Sequence, residues 1–244
     1  MSVVYLVHGT DLEKMLENSV RTLLRHCENI DVIIYYTDDS NTHYDQVAQK
    51  FGVRVIPVED ITGNREYSNF GTENFNRVTS LKWKIILQTL DLGYDTVVFS
   101  DCDIAFVQDF RPYIESAVRY YPVGVQSESS SMFPPAFCTG FMYFNKSTKP
   151  FLERLKEINQ NVLGEYNDQE VFNRTLGNTP KLYRDILTLP ESLFPNGLHS
   201  RSFVGKDFEG LFGELSPFLF HANFVKGVQE QIDLLKYVNL WEIA

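Results

Sequence analysis

The sequence predicts an α/β fold in which a central, mostly parallel sheet is flanked by helices. Short apolar runs alternate with segments of helical periodicity, which is the order typical of parallel sheets. Several of these runs end in polar clusters, and ligands of such sheets bind at the carboxyl ends of the strands. The chain has 244 residues, 43% of them hydrophobic, so it can bury a sizeable core and fits one large domain better than two. We therefore expect a single domain over residues 1–244.

The N-terminal part predicts regularly alternating elements. Its apolar runs predict buried strands, and stretches with apolar residues on one face predict helices. In chain order these are a strand at Val3–Val7, a helix at Asp11–Leu24, a strand at Val32–Tyr36, a helix at Tyr44–Phe51, a strand at Val53–Val58, a helix at Thr79–Leu92 and a strand at Thr96–Asp103. The polar residues 61–77 predict a long loop of the kind that often serves a site.

The C-terminal part is less regular. Its elements, predicted from the same patterns, are strands at Val123–Val125, Phe141–Phe144 and Phe218–His221, and helices at Pro150–Val162, Asp168–Leu176 and Val228–Val238. Residues 127–135 are polar and predict a second loop. Neither repeats nor a composition shift mark a domain boundary, which agrees with a single domain.

The overall charge argues against two classes of partner. With 22 basic and 32 acidic residues the formal charge is −10, so neither a nucleic acid nor an anionic membrane is expected as the main partner. The three cysteines are scattered and predict neither a disulfide framework nor a zinc site. The chain shows no signal-peptide pattern and no apolar run close to a membrane span, so we expect a cytoplasmic protein without a transmembrane segment.

Asp101 and Asp103 are the first candidates for chemistry. They follow the apolar run Thr96–Ser100, and the period of a strand would place both carboxylates on the same face. Two adjacent carboxylates repel each other unless a positive group lies between them, and a divalent cation with oxygen ligands fits that place. An Asp-x-Asp pair alone is a weak signal, because a chain with this many aspartates contains about one by chance.

Polar residues at other predicted strand ends strengthen the signal. They are His8, Gly9, Thr10 and Asp11 after the first strand, Thr37, Asp38 and Asp39 after the second, and His221 and Asn223 after the last. His221 is followed by Lys226 and Gly227. A cation and an unhindered backbone amide beside a divalent metal would make a diphosphate clamp.

The ordered set of motifs resembles the GT-A glycosyltransferases. The set consists of the run Val97–Asp103, the strand Gly140–Asn145, the segment Asn167–Asn173 and His221-Ala222-Asn223. It is most similar to the nucleotide-diphospho-sugar transferases that include plant xylosyl- and arabinosyltransferases, and more distantly to the glycogenin and lipopolysaccharide galactosyltransferase group. The resemblance covers about residues 1–230 and implies a Rossmann-like GT-A domain. The Lys-Pro-Trp signature that follows the histidine in the glycogenin-like group is absent here.

The resemblance also implies roles for individual residues. Asp101, Asp103 and His221 would hold the metal, with Asp101 shared between the metal and the ribose. Lys226 and Gly227 would hold the diphosphate, His8, Gly9, Thr10, Thr37 and Asp38 the nucleoside, Asp168 the donor-sugar hydroxyls, and Gln169 would lie near the anomeric carbon. Lys82 is either a phosphate or sugar contact or a solvated helix lysine.

The implied activity is the transfer of a sugar from a nucleotide-diphospho-sugar to an acceptor. The donor is expected to be a UDP-sugar, the cofactor Mn²⁺ or Mg²⁺, the acceptor a glycan or another hydroxyl compound, and the anomeric configuration retained. Acceptor contacts are expected from residues 61–77 and 127–138, whose aromatic residues either stack on an acceptor sugar or anchor their loops to the core: Tyr67, Phe70, Phe133 and Phe137. Two alternatives remain, a phosphatase of the haloacid-dehalogenase type and a nucleotide-sugar-binding protein without catalysis.

Overall fold

A seven-stranded sheet forms the centre of the molecule. The structure, a computed structural model, describes residues 1–9, 11–37, 41–59, 68, 70–129, 136–199 and 217–243. The strands are β1 (Ser2–Val7), β2 (Asp31–Tyr36), β3 (Arg54–Pro57), β4 (Thr96–Ser100), β5 (Ile104–Phe106), β6 (Val123–Ser129), β7 (Ala136–Asn145), β8 (Ile186–Leu189) and β9 (Leu219–His221). The large sheet has the order β3-β2-β1-β4-β7-β6-β8, and β5 pairs with β9 in a separate ribbon. Among the described strands of the large sheet, β7 alone runs antiparallel to its neighbours, which confirms the mostly parallel α/β prediction.

Helices cover both faces of the sheet. They are α1 (Glu13–His26), α2 (Asn41–Phe51), α3 (Glu73–Thr79), α4 (Lys82–Asp91), α5 (Arg111–Ala117), α6 (Lys149–Asn161), α7 (Asp168–Gly177) and α8 (Val228–Tyr237). The apolar residues of α1, α2 and α5 pack on one face of the sheet, and those of α4, α6 and α7 pack on the other. Among the described residues no helix is both long and apolar enough to cross a bilayer.

Strand alternation divides the apolar residues between the two layers. In β1, Val3, Tyr5 and Val7 belong to the layer under α1, whereas Val4 belongs to the layer under α4. Strands buried on both faces read as continuous apolar runs, which explains why β1, β2 and β4 could be predicted from their sequence.

Several elements differ from the sequence prediction. The prediction missed β5, α5 and β8, which are too short to show a period, and it missed α3, whose sequence is polar and most of which lies within the predicted loop 61–77. Strand β6 extends into the predicted loop 127–135, of which residues 130–135 lie outside the described residues. Its antiparallel partner β7, Ala136–Asn145, extends beyond the predicted strand Phe141–Phe144 at both ends.

The pairing of β6 with β7 changes register next to the site described below. Val125 pairs with Met142, but the next residue, Gln126, pairs with Cys138. Strand β7 thus passes three residues, 139–141, opposite a single step of β6. A strand irregularity of this kind changes the direction of side chains and leaves backbone N–H and carbonyl groups available to other partners.

Candidate active site

A cavity of about 630 Å³ lies beyond the carboxyl ends of β1 and β4. A cavity of this volume can enclose a small-molecule ligand. Its wall contains most of the residues that the sequence predicted, namely His8, Lys82, Asp101, Asp103, Asp168, Gln169, His221, Lys226 and Gly227. Gly9 and Thr37 lie beside His8, while Thr10 and Asp38 lie outside the described residues.

Asp101, Asp103 and His221 converge at the base of this cavity. Their ligand atoms all lie within 4.8 Å of one another. Nε2 of His221 is 3.2 Å from Oδ1 of Asp103, and Oδ2 of Asp103 accepts a hydrogen bond of 2.7 Å from Gln231. His221 and Asp103 are buried, whereas the side chain of Asp101 keeps 35% of its surface exposed toward the cavity. The arrangement is one that could hold a divalent cation.

The two carboxylates converge for a different reason from the one predicted. Strand β4 ends at Ser100, and Asp101 to Asp103 form a turn that leads into β5. The predicted strand alternation through Asp103 was therefore wrong, although the convergence was right. His221 reaches the same point because β9 pairs with β5, with His221 opposite Ile104.

Proton affinities in this cluster are strongly perturbed. Enclosure in the cavity raises the pKa of Asp101 to about 6 against the lowering influence of Lys82, and the nearby Asp103 adds to the rise. Burial opposes a positive charge on His221, but Asp103 and Cys138 together outweigh burial and raise the pKa of the imidazole well above its usual range. Burial likewise disfavours the charge of Asp103, but His221, a backbone hydrogen bond and Lys82 together outweigh burial and lower the pKa of Asp103. Without a metal, Asp103 and His221 thus form a charged pair.

The register shift in β7 supplies backbone contacts to the site. The carbonyl of Gly140 accepts a hydrogen bond of 2.8 Å from the backbone N–H of Asp101. The carbonyl of Thr139 accepts one of 3.3 Å from Nζ of Lys82, and the N–H of Thr139 donates one of 3.3 Å to Oε1 of Gln169. One short backbone segment thus contacts the side chains of Lys82 and Gln169 and the backbone of Asp101.

Gly140 also leaves space beside Asp101 and His221. A Cβ atom at this position would lie 2.2 Å from Cε1 of His221 and 2.9 Å from both Nε2 of His221 and Oδ2 of Asp101. No side chain fits here without displacing a candidate ligand. The sequence contained this glycine in one of its motifs but gave no sign of its steric role.

Lys82 connects the Asp101–Asp103–His221 group to Asp168, which was predicted to bind the donor sugar. Its Nζ lies 3.1 Å from both Oδ1 of Asp101 and Oδ2 of Asp168, and 4.6 Å from the centre of the Phe99 ring. Burial opposes its charge, but the two carboxylates outweigh burial and raise its pKa. Lys82 is only 5% exposed, so the interpretation as a solvated helix lysine was wrong.

Asp168 and Gln169 begin α7, whose position is fixed at its N-terminus. Asn167 and Glu170 form a capping box, in which each side chain accepts a hydrogen bond from the other residue's backbone N–H. The side chain of Asn173 exchanges hydrogen bonds of 2.9 Å with the backbone of Phe137 in β7. These contacts place Asp168 and Gln169 on the cavity wall.

Glu128 is a cavity residue that the sequence analysis missed. It lies near the end of β6, and its Oε2 accepts a hydrogen bond of 3.3 Å from Nε2 of Gln169. Burial raises the pKa of Glu128, against the lowering influence of His221. It stood within a segment predicted as a loop, where no motif marked it.

Three of the residues predicted to bind the nucleoside, His8, Gly9 and Thr37, make hydrogen bonds beyond the ends of β1 and β2. Nδ1 of His8 contacts Oγ1 of Thr37, whose backbone N–H donates to the carbonyl of Val7 at 3.2 Å. The hydroxyl of Tyr44 donates to the carbonyl of Gly9, which has a φ of 78°. His8 alone among these residues lines the cavity.

Lys226 and Gly227 lie at the cavity mouth, where α8 begins. Lys226 is exposed, and its backbone N–H donates a 3.2 Å hydrogen bond to Glu230. Gly227 has a φ of 90°, a conformation that favours glycine, and it immediately precedes α8. The start of a ten-residue helix beside an exposed lysine side chain is a suitable place for an anion.

Phe70 is also at the cavity wall, and it is 71% exposed. Its ring meets that of Phe75 edge to face, with the centroids 5.4 Å apart. The side chain therefore does not anchor its segment in the core. Phe137, in contrast, is buried, and Tyr67 and Phe133 lie outside the described residues.

Comparison with known proteins identifies the family. The sequence profile of the nucleotide-diphospho-sugar transferases matches residues 28–235. The chain belongs to this family. Membership in the nucleotide-diphospho-sugar transferase family agrees with the predicted resemblance and does not favour the phosphatase alternative.

Plant members of the family are similar over most of this chain. A β-arabinofuranosyltransferase of Arabidopsis thaliana is 24% identical over 258 aligned residues, which cover 99% of this chain and 48% of the relative. A UDP-D-xylose:L-fucose α-1,3-D-xylosyltransferase of the same organism is 23% identical over 232 aligned residues, which cover 86% of this chain and 62% of the relative. The chain thus spans about half to three-fifths of the length of these curated relatives.

Solved structures share the fold at low sequence identity. Mouse xyloside xylosyltransferase 1 has a TM-score of 0.62 at 13% identity, with 93% of this chain and 99% of that chain covered. Galactosyltransferase LgtC, solved with donor and acceptor sugar analogues, has a TM-score of 0.64 at 12% identity, with 100% of this chain and 97% of that chain covered. These neighbours are GT-A glycosyltransferases, so this member of the nucleotide-diphospho-sugar transferase family has the GT-A fold.

Proposed function

We propose that the protein is a metal-dependent glycosyltransferase that transfers a sugar from a UDP-sugar to a hydroxyl acceptor with retention of configuration. The observation that carries the proposal is the meeting of Asp101, Asp103 and His221 in the same cavity as the Lys82–Asp168 pair. Family membership supports a nucleotide-diphospho-sugar donor. The names of the plant xylosyltransferases, which specify UDP-D-xylose and L-fucose, support a UDP-sugar and a sugar hydroxyl as substrates.

The residues of the cluster fit a divalent cation such as Mn²⁺ or Mg²⁺. Two carboxylates and one imidazole are ligands that Mn²⁺ accepts, and Mg²⁺ favours the carboxylates. The missing side chain of Gly140 leaves a cradle beside them. Bound there, the cation would neutralise negative charge on the departing diphosphate.

The side chains of this chain bind and orient the donor around that centre. Lys226 and the N-terminus of α8 offer positive charge and free N–H groups to phosphate oxygens. Asp168 is held by Lys82 and offers its carboxylate to sugar hydroxyls. Because Asp168 positions the sugar, its replacement by alanine should reduce transfer far more than the same change at Gln169.

Gln169 and Glu128 correspond to two stereochemical routes. Gln169 is a poor nucleophile, but its amide oxygen could stabilise positive charge at the anomeric carbon on the retaining route, with the departing phosphate taking the acceptor proton. An inverting route needs a carboxylate base beside the acceptor hydroxyl, and Glu128, with its raised pKa, is the cavity residue suited to that role. Proton NMR of the first product from an α-linked donor distinguishes them, since a β-linked product would contradict retention.

Calorimetric titration with UDP tests the donor and the metal together. We expect UDP to bind with Mn²⁺ and to bind much more weakly after chelation of the metal. A screen of UDP-sugars for slow hydrolysis would then identify the donor. Equal UDP binding with and without Mn²⁺ would contradict metal dependence. Metal-dependent UDP binding without hydrolysis of any UDP-sugar or transfer to any acceptor would favour the non-catalytic alternative.

A further inference from the structure

Gln126 is buried directly behind His221, on the side away from Asp103. It is fully buried in β6 and does not line the cavity, so it is not placed to touch a substrate. Its Oε1 lies 2.8 Å from Nδ1 of His221, whereas Nε2 of His221 faces Asp103. The imidazole thus lies between Gln126 on one side and the metal cluster on the other.

The orientation of the Gln126 amide follows from its other partners. Its Nε2 lies 2.9 Å from the carbonyl of Phe194 and 3.3 Å from that of Pro195. Carbonyl oxygens only accept hydrogen bonds, so the amide nitrogen must face them and the amide oxygen must face His221. An oxygen at that position accepts a hydrogen bond from Nδ1–H.

A second contact of Nδ1 does not reverse this assignment. Sγ of Cys138 lies 3.7 Å from Nδ1, and it accepts a hydrogen bond of 3.6 Å from the side-chain amide of Asn223. Sulfur is a weak partner on either side of a hydrogen bond. The shorter contact with Gln126 therefore sets the position of the proton.

We propose that Gln126 is the positioning residue that fixes the tautomer and ring orientation of His221, so that Nε2 presents its lone pair to a metal. This inference rests on the proposed function, since it assumes that the cluster binds a metal. The same glutamine steadies the main chain of His221, because Pro195, which accepts from Gln126, also accepts from the backbone N–H of His221 at 3.1 Å. Partners that hold the second nitrogen of a ligand histidine commonly tune metal affinity.

The register shift between β6 and β7 explains why Gln126 can reach His221. At this step Gln126 pairs with Cys138 rather than with a residue next to Met142. Gly140 therefore lies beside the imidazole of His221. Because glycine has no side chain, the imidazole can occupy this position. The irregular step thus provides both the hydrogen-bond acceptor and the space for the histidine.

Two substitutions separate positioning from mere packing. Gln126→Leu removes the acceptor for Nδ1–H and both donors to the turn at Phe194 and Pro195. Gln126→Glu loses the donors but keeps an acceptor oxygen toward His221. Both variants should melt at a lower temperature than the parent protein, whereas only the leucine variant should lose Mn²⁺ affinity, by about 10- to 100-fold.

The measurement is Mn²⁺ binding without nucleotide at a temperature where every variant is folded. The electron paramagnetic resonance signal of free Mn²⁺ reports how much of the metal is unbound. The matched control is Gln108→Leu, which also removes a donor to a backbone carbonyl, that of Pro217 at 3.4 Å. Its Mn²⁺ affinity should equal that of the parent protein. Equal affinity in Gln126→Leu, or an equal loss in Gln126→Leu and Gln126→Glu, would overturn the inference.

Nitrogen NMR provides a second readout that packing alone would not change. With ¹⁵N-labelled histidine and Mg²⁺, one of the five histidines should show a protonated Nδ1 and an unprotonated Nε2 in the parent protein. The Gln126→Leu variant should lose this signature, and its persistence there would contradict the role of Gln126. If the parent protein itself binds neither Mn²⁺ nor Mg²⁺, the metal dependence of the proposed function fails as well, which is a different outcome from an unaffected variant.

Discussion

Replacing Gly140 with alanine should weaken Mn²⁺ binding by about 100-fold or more, although the substitution adds only a methyl group. The new Cβ would lie 2.2 Å from Cε1 of His221, whereas ordinary contacts begin at 3.4 Å. Either the imidazole or strand β7 must therefore move by about 1 Å, and metal–ligand distances tolerate only about 0.2 Å. His221 has little room to move, because it is 2% exposed and held at Nδ1 by Gln126.

The size of the effect should differ between metal affinity and stability. Overpacking a buried site costs about 1–3 kcal/mol. For a domain of this size that corresponds to a fall in melting temperature of about 2–12 °C, which leaves the protein folded at room temperature. Loss of correct geometry at His221, in contrast, should weaken Mn²⁺ binding by about 100-fold or more.

The assay is Mn²⁺-dependent UDP binding by calorimetry, together with thermal unfolding by circular dichroism. Gly177→Ala is the matched control, because a Cβ at this last residue of α7 meets nothing within 4 Å. The control should bind UDP normally and be at least as stable as the parent protein, since alanine favours helices over glycine. Normal Mn²⁺-dependent binding in Gly140→Ala would refute the steric reasoning.

Three further predictions concern charge in the site. Asp103→Asn should bind UDP equally weakly with and without Mn²⁺ in calorimetry, because the amide lacks the charge that a cation needs; retained Mn²⁺ dependence would remove Asp103 from the ligand set. Lys82→Met should lower the free energy of unfolding in urea by about 3–5 kcal/mol, because Asp101 and Asp168 lose their buried cation, and a loss below 1 kcal/mol would contradict the pairing. Mn²⁺ affinity should rise from pH 6 to pH 8 and protons should be released on binding, because Asp103 raises the pKa of His221 and the metal must displace the proton of the imidazole. Calorimetry in buffers of different ionisation enthalpy measures the proton release, and a Mn²⁺ affinity independent of pH would contradict this prediction.

The burial of Lys82 could not be predicted from the sequence. In the sequence this residue opens an ordinary helix, and a solvated position was as reasonable as a functional one. Its partners Asp101 and Asp168 are 19 and 86 positions further along the chain. Which distant polar groups meet depends on how strands and helices pack, and local periodicity does not contain that information.

The layered α/β architecture could be predicted from the sequence, because strands buried on both faces must be continuously apolar and helices on a sheet must be apolar on one face. The candidate metal ligands could be predicted as well, since the order of several motifs is far more specific than any one of them. The arrangement of these ligands could not be predicted. The turn at Asp101–Asp103, the space at Gly140 and the reach of Gln126 all depend on chain pairing across the sheet. Pairing register is a property of two segments together, so no single segment of sequence could predict it.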